Sequence, residues 1–273
     1  MELIRIEWLK IKKYPAFWWM LGIVALTYPG INLMFYNIFL NITTRKDMTG
    51  AIAKSLLGNP FAFPEVWHSV AYFSSWFVMV PAILVIMIIT NEYQYRTHRQ
   101  NIIDGWSRNE FMVSKLMDVV IITIVATIAY LLTAGIFGLV VKDENTTSSW
   151  TEQIKYIPLF MLQTFAQLTL AFLLGFLVKK AFIALGLFLF WFLVVENMLR
   201  GLFHWLKLSE DLYHYLPLGI SNRLIPFPQA IGKLDADGYA KALAQINPHI
   251  AYTVVLTAAI WWLCFSVYKK RDL

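Results

Sequence analysis

The 273-residue sequence is short of charge and nearly devoid of cysteine, and each shortage closes off a class of protein. Charged residues make up 15% of the chain against a usual ~25%, while 59% of it is hydrophobic. That balance excludes an ordinary soluble domain. The single cysteine, Cys264, lies in an apolar run, so there is no disulfide framework and no cysteine metal site. His68, His98, His204, His214 and His249 are scattered, with neither H-E-x-x-H nor an i, i+4 pair to suggest zinc. No G-x-S-x-G nucleophile elbow occurs. Gly232-Lys233 is followed by Leu234 where a phosphate-binding loop needs Ser or Thr, and Phe227 stands where its first glycine should be. What is abundant is aromatic: 11 Trp, 13 Tyr and 20 Phe, a composition opposite to that of disordered chains.

Long uncharged runs, Tyr14 to Thr44 and Ser69 to Thr90 among them, exceed the roughly 20 apolar residues a helix needs to cross a bilayer. The pattern predicts an all-α integral membrane protein, a single transmembrane domain over 1–273, with six spans at about 16–40, 69–90, 117–141, 156–178, 181–199 and 249–268. The fifth is the weakest, because its apolar core meets Glu196, Asn197 and Arg200, where it is expected to end early. Six spans place both termini on one side. The segments on that side hold 13 basic residues in 48 positions, the opposite segments 10 in 91, so the positive-inside rule puts both termini in the cytoplasm. Net charge of +6 therefore reflects topology and lipid, and no nucleic acid is expected as a partner. The first run is too long for a signal-peptide core and lacks an A-x-A-like site, so it is expected to remain, with Pro29-Gly30 as a kink or local break.

Three segments outside the spans carry information. Residues 2–13 place Ile4, Trp8 and Ile11 on one stripe opposite Glu2, Arg5, Lys12 and Lys13, which reads as an interfacial helix or as a plain topology signal. The loop 91–115 contains two capping-box patterns, Thr97-x-x-Gln100 and Ser107-x-x-Glu110, with Gly105 placed to end a short helix between them. Ile102, Ile103 and Trp106 would form an apolar knob there, to dock on a partner, on the bilayer surface, or under the protein's own helices. The external stretch 200–248 is apolar and aromatic up to about Ile220, interrupted at Ser209-Glu210-Asp211, and predicts a re-entrant or interfacial hairpin followed by turns.

Charge at membrane depth is scarce. Glu92, Asp118 and Glu196 all fall near predicted membrane surfaces, where solvated or interface-paired carboxylates are expected. Gln163 and Gln167, four residues apart on the fourth span, are candidates for helix–helix glue or for a substrate path. No catalytic cluster is visible, so an enzyme is not expected.

Glu92 at the end of the second span, then Thr97, Gly105, Ser107-Arg108, Phe111 and Lys115 entering the third, resembles the membrane (permease) subunits of type 2 ABC exporters. The six-span layout with an N-terminal interfacial helix and a re-entrant segment before the last span is similar to that family over nearly the whole chain. The commoner family pattern has Gly-Thr where this chain has Arg96-Thr97. The resemblance implies a coupling helix in 91–115 whose tip, Ile102, Ile103 and Trp106, seats in a separate ABC-type ATP-binding subunit. Arg96, Arg99 and Arg108 would act as polar clamps beside Thr97, with Glu92 in transmission. It also implies a second membrane subunit, identical or merely similar. The chain itself would hold no cofactor, ATP and Mg belonging to the partner, and it would sit in a bacterial cytoplasmic (inner) membrane. An amphiphilic cargo, a peptide antibiotic or lipid-like molecule, is expected. A membrane-embedded enzyme and a non-transporting scaffold or assembly factor remain the alternatives.

Overall fold

A computed structural model describes residues 2–44, 57–141, 149–206 and 212–270. It is all-helical among these residues. The first helix, α1 (Glu2–Lys13), is followed at once by α2 (Pro15–Thr43), whose opening proline is suited to the first helical turn. Pro29 lies inside α2 without ending it, so no local break occurs there.

The second span is a bent pair, α3 (Val66–Ser75) and α4 (Met79–Gln94), meeting at 49°. The bend has a local cause. Pro81 lacks the amide that would bond Phe77, whose carbonyl accepts instead from the Val80 amide at 3.0 Å in a tighter turn. Ser75 adds to it by bonding back to the Tyr72 carbonyl. A short helix, α5 (Thr97–Ile103), then leads into the 33-residue α6 (Arg108–Val140).

The fourth span, α7 (Tyr156–Val178), is the axle of the bundle. Over its apolar window 56% of residues are buried, against 11% for the rod that follows. That rod comprises α8 (Ala181–Phe190), a π-helical segment at Trp191–Val195 and α9 (Glu196–Trp205). The helix continues through Glu196, Asn197 and Arg200 and past the expected range of 181–199 without an early end. The carboxylate does not stop the helix because it is satisfied: it accepts from Trp191 Nε1 at 3.2 Å and from the Leu218 amide at 2.7 Å.

The first arm of the expected hairpin is thus an extension of the span, and Ser209-Glu210-Asp211 lie outside the described residues. The second arm is α10 (Pro217–Asn222), which buries Leu218, Gly219 and Ser221 and packs on α7 and on the last helix. Two short helices, α11 (Gln229–Gly232) and α12 (Ala236–Ala244), precede that last helix, α13 (Ile246–Lys270). Five helices are long and apolar enough to cross a membrane, and the bent pair makes a sixth.

Candidate functional site

The largest departure from the sequence reading is at the α5 end of the bundle. Lys115, about two turns into α6, is 1% exposed, and its ammonium meets three carboxylates: Glu92 at 2.7 Å, Asp118 at 2.8 Å and Glu7 at 3.1 Å. Glu7 also pairs with Lys10 at 2.8 Å. Asp118 follows Lys115 by three residues and so shares its helical face. The expectation that Asp118 and Glu92 are solvated or merely paired at the interface therefore gives way to a buried cluster. Three carboxylates face two ammonium groups, and one negative charge is left over.

Burial on this scale is tolerated only with near-complete pairing, since an isolated charge in a low-dielectric interior is very costly. Burial pushes the Glu7 carboxyl up, but Lys115 and Lys10 outweigh it and hold the group below its ordinary value. The cluster joins α1, α4 and α6, three elements distant in sequence. A cavity of about 300 Å³ lies against it, bounded also by Tyr14, Asn91 and Tyr95. Asn91 Nδ2 donates to the Tyr14 hydroxyl across this space.

Glu7 has no part in either sequence reading of residues 2–13, as an interfacial helix or as a topology signal. The clue was present: Glu7 lies between Ile4 and Ile11 on the apolar stripe of α1, where a lone charge needs a partner. Ile11 is buried while Trp8 is 39% exposed, so the inward face of α1 centres on Glu7 and Ile11.

Helix α5 hangs directly from this cluster. Its expected N-terminal capping box is absent. Thr97 Oγ1 donates to the Glu92 carboxylate at 3.3 Å, and Gln100 donates to Asp104. The helix starts at Arg96, whose φ of 56° is left-handed, the conformation for which glycine is the default residue. The C-terminal expectation holds. Gly105 has φ 99°, its amide bonds the Ile102 carbonyl, and the Trp106 amide bonds Asn101, the paired arrangement of a Schellman motif. The second box forms as read, with Ser107 Oγ on the Glu110 amide and the Glu110 carboxylate on the Ser107 amide.

The apolar knob is only partly a knob. Ile103 is 77% exposed, whereas Ile102 packs against the core and Trp106 lies beneath Lys10, 5.2 Å from its ring centroid. Arg108 reaches the end of α13, where one guanidinium nitrogen donates to the Lys269 carbonyl.

Arg96 and Arg99 face elsewhere, into a cleft of about 730 Å³ whose far wall is Lys179, Lys180 and Phe182 at the α7–α8 turn. Lys179 also has a positive φ, 60°, and with Arg96 it forms the pair of such non-glycine residues among those described. Sequence reasoning counted Lys179 and Lys180 for topology alone, because their approach to α5 is set by the packing of α7 on α4.

Gln163 and Gln167 are far from all of this, toward the opposite end of α7. Both are buried, and their Nε2 atoms converge on Asn222 Oδ1 at 3.1 and 2.8 Å. They hold α10 to the bundle, which is the glue reading. Gln163 also lines a second cavity at that end.

A bundle of apolar helices of spanning length with a buried ion cluster near one end defines a multi-pass helical membrane protein. Residues 51–273 match the model of DUF2705, described as a protein of unknown function, and the chain belongs to that family. No curated protein matches it.

Proposed function

We propose that the chain is the permease subunit of an ATP-driven exporter of the type 2 ABC class, moving an amphiphilic molecule and paired with a second membrane subunit. In this reading α5 is the coupling helix, with both termini in the cytoplasm. The observation that carries it is the attachment of α5: Thr97 bonds Glu92, Glu92 pairs with Lys115, and Lys115 pairs with Glu7. A push on α5 would thus reach α1, α4 and α6 through rigid polar links instead of dissipating in a flexible loop. The left-handed backbone at Arg96 adds support, since it explains why relatives of that class commonly carry Gly-Thr there.

Among the described residues the fully buried charges lie at the α5 end, so the argument for an amphiphile rests on the polar but un-ionised network along α7. The docking surface is redrawn as Ile103 with Arg96 and Arg99, and Lys180 and Phe182 across the cleft. Such a surface suits an apolar and acidic groove on the ATPase. Docking alone shifts nothing; the ATPase must bind one state of the bundle more tightly than the other.

The test asks first whether a neighbouring reading frame encodes a soluble P-loop protein, the absence of which counts against the reading, and then co-expresses that protein with this chain. Wild type should retain it through purification. Ile103→Asp with Arg99→Glu should release it while leaving membrane insertion intact. Retention by that variant, or a reconstituted complex whose ATPase responds to no amphiphile, would sink the reading.

A further inference from the structure

The cleft beside α5 has the charge and the setting of a lipid headgroup site. Its volume of about 730 Å³ falls within the ~300–1,000 Å³ range of small-molecule pockets. Arg96 and Arg99 line one wall, Lys179 and Lys180 the other, and no acid lines either wall among the described residues. Lys179 is engaged by the Tyr93 ring, 5.3 Å from its centroid. The side chains of Arg96, Arg99 and Lys180 are exposed and make no hydrogen bond or ion pair among the described residues. Like charges gathered around one cleft focus a positive potential into it, and an anion relieves their repulsion.

Two further observations narrow the anion. The backbone is left-handed at Arg96 and at Lys179, with φ of 56° and 60°, where glycine would carry no strain. Strain kept on both walls of one cleft points to side chains that a function requires there. The rest of the lining is largely apolar, including Val178, Ala181 and Phe182, and Phe182 is 90% exposed in the first turn of α8. Because Val178 ends one helix of spanning length and Ala181 opens the next, the cleft lies where apolar spans give way to charge. Basic pockets at that position between membrane helices suit phospholipid headgroups.

We propose that this cleft binds a phospholipid with two phosphates, one on Arg96 and Arg99 and the other on Lys180, with an acyl chain along Phe182. Unpaired cations on two walls call for more than one negative charge, and the exposed ring calls for an apolar tail. The inference does not rest on the transport reading. The two share Arg96 and Arg99, for which the lipid and an acidic groove would compete, so the lipid is tested on the chain alone.

The test uses the full chain purified in mild detergent, with bound lipid counted by native mass spectrometry. Cardiolipin should bind about tenfold tighter than phosphatidylglycerol, which has one phosphate, the factor that one hydrogen bond to a charged group supplies. Arg99→Gln with Lys180→Gln takes one cation from each wall and should bring cardiolipin down to the level of phosphatidylglycerol. Lys12→Gln with Lys13→Gln removes the same charge from exposed side chains of α1 outside the cleft and should leave the preference intact. Equal binding of the two lipids by wild type overturns the proposal. So does an equal loss in both double variants, which would mark diffuse surface charge, or displacement of cardiolipin by millimolar pyrophosphate, which would mark a site for the free anion.

Discussion

The two ends of α7 solve one problem differently. Each buries polar side chains among apolar helices, but near the α5 end the groups are ions and at the α10 end they are neutral amides. Around Lys115 every charge has an opposite partner within 3.1 Å, and the links run through three elements. Around Asn222 two amide donors share one oxygen, leaving the Gln163 and Gln167 Oε1 atoms unpaired among the described residues. Ion pairs tie the first site together across α1, α4 and α6, with one Asp118 oxygen left without a hydrogen bond among the described residues. The second site is tied by amides alone and leaves two carbonyl oxygens unused, that of Gln163 beside a cavity.

The comparison can be broken most forcefully at Lys115. Lys115→Met would leave three carboxylates buried together and should cost about 3–5 kcal/mol, read as a steep fall in thermal stability of the purified protein. Adding Glu92→Gln and Asp118→Asn should restore most of the loss. A single variant as stable as wild type would mean that the cluster is not ionised.

Asn222→Ala at the other end should cost less, about 1–3 kcal/mol, by orphaning two buried amide donors. The same thermal measurement checks it; a loss equal to that of Lys115→Met would erase the distinction between the ends.

A smaller effect follows from Glu7. Its carboxyl is held below the ordinary 4.5 by Lys115 and Lys10 in spite of burial. Its contribution to holding α1 is therefore fully present above pH 4.5 and lost as pH falls through the lower value it has in the folded protein. Limited proteolysis of α1 should rise in that acid window. Glu7→Gln, already uncharged, should show that raised cleavage at neutral pH and little further change on acidification.

The smallest effect should be a gain. Arg96→Gly relieves a left-handed non-glycine residue and should stabilise by up to about 1 kcal/mol, in a thermal melt, while weakening ATPase retention through the lost charge. Destabilisation would mean that the Arg96 side chain contributes more to the fold than its backbone costs.

Much of this was legible in one dimension. Spans are set by length and apolarity, so each predicted range falls on a helix or bent helix pair, while the third helix begins at Arg108 and the fifth rod runs on to Trp205; Gly105 with Ser107 and Glu110 act within a few residues of one another, as local signals do. The misreadings have a common cause. Thr97 looked like a cap because its spacing to Gln100 is right, but a buried carboxylate five residues back is a stronger acceptor. Ile102 and Trp106 read as an exposed tip because neither the packing of Ile102 on the core nor the placement of Lys10 over Trp106 is a local feature of the chain. The contact of Arg108 with the end of α13, 161 residues on, is likewise beyond the reach of local spacing.

The sequence by itself determined that this is a helical membrane protein, where its helices lie, and that a rigid short helix joins the second and third spans, because hydrophobic length and backbone capping are local properties of a chain. Only the tertiary structure decided where the ions go. Pairing Glu7 with Lys115 requires α1 to fold back on α6 across 108 residues, and nothing in the spacing of two charges that far apart announces that each is the condition for burying the other.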